Sequence, residues 1–194
     1  MLKKAITTCC IVLAISLCTS AAHAQWAIHA LAGKIESLSA SAKTITLDTN
    51  DGTPANFHMP QKAKLDMNFD KEVRDGTIPV DKFTGAQGQV IVFFFGDGVV
   101  RTVVAVQSVG AGPFQKLTGT VLKYDKHDRT LTLQTEAGEQ AFVISDKTIV
   151  DTPDGVVPGH KFTAERGDHL RLLAASNNGQ PQTLLVRFDG NPTH

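Results

Sequence analysis

The feature that most constrains this chain is that it resembles itself. Leu31-Ala32-Gly33-Lys34-Ile35 returns as Leu117-Thr118-Gly119-Thr120-Val121, 86 positions on. Lys43-Thr44-Ile45-Thr46-Leu47-Asp48-Thr49 returns as Arg129-Thr130-Leu131-Thr132-Leu133-Gln134-Thr135 at the same offset. Gly52 and Gly138 keep it, and one deletion later Phe57 and Met59 match Phe142 and Ile144. Lys82-Phe83-Thr84 then matches Lys161-Phe162-Thr163, with Gly88 and Gly167 in register, now 79 apart. A collinear series of this kind points to duplication. Two copies are too few for a solenoid, which needs about three. The expectation is two similar domains in tandem: 25–107, a linker at 108–116 rich in Gly, Ser and Pro, and 117–194. Gly110-x-Gly112 in that linker lacks the third glycine and the following helix of a dinucleotide loop.

Within each copy the apolar spacing is that of strands. Ile45 and Leu47 alternate with Thr44, Thr46 and Asp48, and Leu131 and Leu133 with Thr130, Thr132 and Gln134. Period two with β-branched residues between predicts half-buried strands. Asn50-Asp51-Gly52 is a hairpin signal, because Asp-Gly tolerates positive φ. Further strands are expected over 90–95 and 169–173, with closing strands over 99–106 and 183–188. Residues 62–74 have room for a turn or two of helix. The fold class is therefore all-β, two tandem small barrels of about five strands each.

The N-terminus reads as an export signal. Lys3 and Lys4 precede an apolar run, and Ala22-His23-Ala24 is an A-x-A cleavage site. The run is shorter than the roughly 20 residues that span a bilayer. Cleavage after Ala24 would leave a periplasmic or secreted chain that does not span the membrane. Cys9, Cys10 and Cys18 all fall in that signal. The mature chain would then hold neither disulfide nor thiolate, which excludes cysteine nucleophiles and zinc ribbons. Removing Lys3 and Lys4 leaves 17 basic against 19 acidic residues, a net of −2 without a basic cluster. Nucleic acid is not an expected partner.

The shared pattern is a Gly-x-Val/Ile start, an Ile/Leu-Thr-Leu strand, a glycine turn, a Phe-x-apolar strand, then a glycine before a further apolar strand. It resembles the OB-type β-barrel domains of bacterial exported proteins, many grouped as domains of unknown function. The resemblance covers nearly the whole mature chain and implies the fold rather than an activity. A second resemblance is to the Cus-type periplasmic copper-binding barrels, which hold Cu(I) with His and Met under a Trp. His58, Met59 and Met67 follow the first hairpin, and imidazole and thioether suit Cu(I). His58 and Met67 are the metal candidates, with copper the implied cofactor. Against this, adjacent strand residues such as His58 and Met59 point to opposite faces, Trp26 lies far off, and the second copy has Val143 and Ile144 instead.

No Gly-x-Ser-x-Gly elbow, His-Glu-x-x-His motif or phosphate-cradling loop is present. Asp48-Thr49-Asn50-Asp51-Gly52 brings its glycine one position too early for a calcium loop. The remaining histidines, His29 among them, lack ligand spacing, and Trp26 with His29 suggests a flexible or docking segment. One segment stands out: Val90-Ile91-Val92-Phe93-Phe94-Phe95 is apolar on both faces, whereas Leu170-Arg171-Leu172 in the other copy alternates. A strand with two apolar faces is covered on both. Its second face is expected to meet the other copy or a partner, with Val90, Val92 and Phe94 as the interaction residues. The leading expectation is a non-catalytic, cofactor-free binding module with an envelope protein as partner. The alternatives are a copper carrier and an enzyme with an unrecognised site.

Overall fold

A computed structural model describes residues 27–49, 54–61, 69–96, 100–177 and 180–189. The expected signal peptide, Trp26, Met67, His194 and the turn residues Asn50-Asp51-Gly52, Asp97-Gly98 and Asn178-Gly179 lie outside the described residues.

Strands make up most of the described residues. The first sheet holds β1 (His29–Ser39), β2 (Thr44–Thr49), β3 (Pro54–His58), β4 (Ile78–Pro79), β5 (Gln89–Phe95) and β6 (Thr102–Gly110), in the order β3-β2-β1-β5-β6-β4. His58 pairs with Thr102 in parallel, so β3 meets β6 and five strands close on themselves. The second sheet holds β7 (Phe114–Asp125), β8 (Thr130–Thr135), β9 (Gly138–Val143), β10 (Ile149–Thr152), β11 (Gly155–Pro158), β12 (His169–Asn177) and β13 (Gln180–Phe188). Its order is β11-β10-β13-β12-β7-β8-β9, and a parallel pairing of Val143 with Gln182 closes it in the same way. Both are five-stranded OB-like barrels with an added arm. Strands β6 and β7 run into the expected linker, so only Ala111, Gly112 and Pro113 separate the two barrels.

The sequence matches have shared physical causes. A Cβ on Gly33 would sit 2.7 Å from the Asp48 carbonyl oxygen, and one on Gly119 would sit 2.8 Å from that of Gln134. Glycine is what lets the first strand of each barrel cross its neighbour this closely. Each first strand then carries a bulge at one place, between Ile35 and Ser37 and between Val121 and Lys123. Bulges bend a strand and sharpen its twist, which a barrel this small requires. Lys43 and Arg129, also paired by the repeat, both take a positive φ, 54° and 50°. Their carbonyls accept from Met59 N–H and Ile144 N–H.

Alternation sorts the side chains into three cores. Ile45, Leu47, Phe57, Val90, Val92, Phe94, Val103 and Val106 fill the first barrel. Leu131, Leu133, Phe142, Ile144, Leu170, Leu172 and Val186 fill the second. The third core lies between the barrels. Ile28, Ala30, Ala32, Ile91, Phe93, Val104 and Ala105 come from the outer face of the first barrel, with Ile149, Val156, Leu173 and Leu185 from the second. Phe69 and Val73 close it from the side, Val73 on the short helix α1 (Lys71–Arg74). Asp70 caps that helix by accepting from Glu72 N–H. The second face of β5 is thus covered by the other repeat.

The repeats differ in the segment leading to their arms. Counting back 79 positions from β10 reaches residues 70–73, where the first repeat forms α1. In the second repeat this segment is a strand that pairs in parallel with β13. That substitution builds the seam described next.

Candidate functional site

Strand pairing places a row of polar residues across the outer face of the second barrel. Thr118 on β7 lies opposite Arg171 on β12, Arg171 opposite Arg187 on β13, and Arg187 beside Asp151 on β10. Two arginines opposite one another on adjacent strands repel, so the row requires nearby carboxylates. Asp189 takes Arg171, with Nε 2.6 Å from Oδ1. Asp151 takes Arg187, with Nε 3.1 Å from Oδ2.

Asp151 has a second partner from the other repeat. His29, at the start of β1, donates from Nδ1 to Asp151 Oδ1 over 2.9 Å. The three residues are almost sealed, with 3% of His29, none of Asp151 and 7% of Arg187 exposed. A buried carboxylate is costly unless its oxygens are paired. Here each oxygen has a partner, and the network binds β1 of the first barrel to β10 and β13 of the second. A His–Asp pair can orient a general base. In this protein the same carboxylate also holds Arg187, and the imidazole lies against Phe94 with ring centroids 6.2 Å apart. The arrangement suits a fastening between the barrels.

The backbone makes a parallel connection close by. Val156 N–H donates to the Ile28 carbonyl over 2.8 Å. Gly155 precedes it with φ +114°, and a Cβ there would lie 3.1 Å from that same carbonyl oxygen. Further along the seam, Lys161 Nζ lies 2.6 Å from Asp70 Oδ2, and His160 lies 3.4 Å from Glu72. Burial alone would push the Asp70 carboxyl up. The hydrogen bond from Lys161, the N–H groups of Glu72 and Val73 and the Lys161 charge outweigh it, holding that carboxyl below its ordinary value.

A cleft of about 210 Å³ opens beside this fastening. Leu31 and Ala32 border it on the first barrel and Leu117, Leu172, Leu173 and Leu185 on the second; Ala32, Leu173 and Leu185 turn their side chains to the seam, and Leu31, Leu117 and Leu172 turn theirs into the barrel interiors. Its polar groups are Lys116, Thr118, Arg171 and Arg187. Among the described residues, the lining carries three cations and no carboxylate. A second cavity on the seam, lined by Glu72, Gln107, Asp146, Lys147 and Thr148 among others, mixes both signs of charge.

The residues singled out from sequence fall elsewhere. Val90, Val92 and Phe94 are fully buried in the core of the first barrel and do not reach the surface. The register of β5 with β1 sets this: Val92 lies opposite Leu31 and Val90 opposite Gly33, so Ile91 and Phe93 face the other barrel instead. His58 is exposed at the end of β3, and Met59 packs against the first barrel's core. Met67 is outside the described residues. Among the described residues, no three His, Cys, Asp or Glu side chains gather as metal ligands would. His29, read as part of a flexible or docking segment, is in β1 and buried. Sequence reasoning passed over Asp151, Arg187 and Lys116. For Lys116 a signal existed in the repeat, because Ala30 stands 86 positions before it.

No family model matches the chain, nor does any curated protein. Among solved structures, the silver(I)-bound form of CusF from Escherichia coli aligns at 13% identity with a TM-score of 0.32, over 40% of this chain and 94% of that one. The metal-free form of CusF from the same organism aligns at 12% identity and TM-score 0.32, over 43% and 95%. No helix among the described residues is long and apolar enough to cross a membrane.

Proposed function

We propose that this chain is an exported, non-catalytic binding module of the bacterial envelope, and that its ligand seat is the cleft between the barrels. The observation that carries this reading is the cleft itself: one wall comes from β1, and the floor and polar groups come from β7, β12 and β13. Ligand sites favour such junctions, where an apolar surface meets a few placed polar groups. The apolar seam core and the His29–Asp151–Arg187 network support a rigid frame for it. The A-x-A signal at Ala22-His23-Ala24 supports action in the periplasm or outside the cell.

The test is a photo-crosslinking amino acid at Thr118, in the cleft, or at Glu136, in the exposed turn after β8, in cells producing the full chain. A discrete adduct from position 118 and none from 136 is the expected result. Its mass separates an envelope protein from a small ligand. The same adducts from both positions, or none from either, would remove the cleft as the seat.

A further inference from the structure

The cleft has a chemical bias that narrows its occupant. Resting on the reading above, we infer that it binds a small organic carboxylate with a short apolar body. Lys116, Arg171 and Arg187 stand on three adjacent strands at one cavity whose lining, among the described residues, holds no acid; Asp189 and Asp151 beyond the lining offset the two arginines, and Lys116 supplies the net positive charge. An anion is the complement of that field. Lys116 is exposed, and among the described residues no hydrogen bond or ion pair from its side chain is present. Arg187 is more than nine-tenths buried yet lines the cleft, and its bond to Asp151 uses Nε–H, which leaves the Nη nitrogens for a ligand. Fixing a buried guanidinium through Nε is a built arrangement, since a solvent-facing charge needs no such anchor.

Guanidinium matches a planar carboxylate through paired N–H donors. Thr118 adds a hydroxyl on the same row, directly opposite Arg171. The apolar part of the site is equally specific. Ala32, Leu173 and Leu185, whose side chains lie on the seam side, offer no hydrogen-bonding group, so the rest of the ligand is hydrocarbon. Size sets the last limit. Sites for drug-sized molecules run to about 300–1,000 Å³, and this cleft is smaller at about 210 Å³.

The probe is hexanoate, titrated calorimetrically into the purified protein at low salt, beside butyrate, hexanamide and inorganic phosphate. Variants are Lys116→Gln and Arg171→Gln, with Arg129→Gln as a remote control and thermal melts to confirm that each folds. Hexanoate is expected to saturate one site and to bind more tightly than butyrate, because each buried methylene adds affinity. Hexanamide, of like shape and no charge, should not bind. Each cleft variant should weaken hexanoate about tenfold or more, and Arg129→Gln should leave it unchanged. Absence of saturable hexanoate binding, equal binding of hexanamide, or indifference to both cleft variants would overturn the assignment. Phosphate binding without hexanoate binding would overturn it too. If hexanoate fails while the Thr118 adduct persists, only the ligand class falls; if both fail, the cleft as the seat falls with it.

Discussion

The outer faces of the two barrels stand at the same place in one fold and have opposite chemistry. On the first barrel the row across β1 and β5 is Ala30, Ala32, Ile91 and Phe93. On the second, the same row across β7 and β12 is Lys116, Thr118, Arg171 and Leu173. The first face is buried in the seam core. The second lies partly under the seam, where Leu173 joins that core, and partly open as the cleft. The comparison teaches that, of two barrels with one fold, one can bury its outer face against the other while the other keeps part of the same face open and polar. The inner faces show no such divergence, since both interiors are aliphatic and Phe-rich with matched positions. Inner positions are fixed by closure of the barrel; outer positions are free to change once the neighbour changes.

Reciprocal exchange at one aligned position breaks this comparison most sharply. Ile91→Arg gives the first barrel the second's residue and leaves a charge in a buried, apolar seam. It should cost at least about 4 kcal/mol, by denaturant unfolding. The reverse, Arg171→Ile, removes a half-exposed arginine and should stay within about 1 kcal/mol, while abolishing hexanoate binding. Equal costs for the two would mean that the faces are not the opposites described. Next in size is Asp151→Asn. It strips the carboxylate from His29 and Arg187 together and leaves a buried guanidinium without its counter-ion, at about 3–5 kcal/mol. A double-mutant cycle with His29→Ala should show strong coupling; additivity would mean that the contact across the seam holds nothing together.

How much of this was legible beforehand follows from the same contrast. The repeat, the all-β class and the paired glycines, turns and strand alternation were readable because each reflects a local backbone demand. The double-faced apolar character of residues 90–95 correctly announced a covered second face. Which alternate set lay on that face was not readable, because apolar residues on both sides leave register to tertiary pairing. The expected interaction set Val90, Val92 and Phe94 is the inner one for that reason. His29, Asp151 and Arg187 are 122 and 36 positions apart, Asp151 being the middle member, and no local pattern joins them. The slot that is α1 in one repeat and β10 in the other had diverged too far to align, and Asp151 sits in it.

The close approach at Gly155 gives a smaller and more selective effect. Ala there must adopt φ near +114° and also push Ile28 away, and should cost about 2 kcal/mol. Gly138 has a similar φ of +106° with nothing within 4 Å of a Cβ. Gly138→Ala should therefore cost only about 1 kcal/mol. The difference between the two, read from urea midpoints, isolates the seam contact from the backbone strain. If Gly155→Ala costs no more than Gly138→Ala, the two barrels do not press together at Ile28.

The smallest effect lies at the rim, where Asp70 meets Lys161. Asp70→Asn keeps an N-cap for α1, since Asn serves there as well as Asp, and removes only the charge. The loss at neutral pH should be below about 1 kcal/mol, as for exposed pairs generally. Its pH dependence has a definite sign. The folded-state Asp70 carboxyl is held below its ordinary value of 3.8. The pair's contribution is thus complete above that ordinary value and fades as pH falls through the lowered one. The stability gap between wild type and Asp70→Asn should be flat at neutral pH and close in acid. A gap that stays open in acid would assign the loss to the helix cap. A gap of zero at neutral pH would show that Lys161 contributes nothing to holding α1 against the second barrel, and that the apolar core, the His29–Asp151–Arg187 network and the Val156–Ile28 bond carry the seam without it.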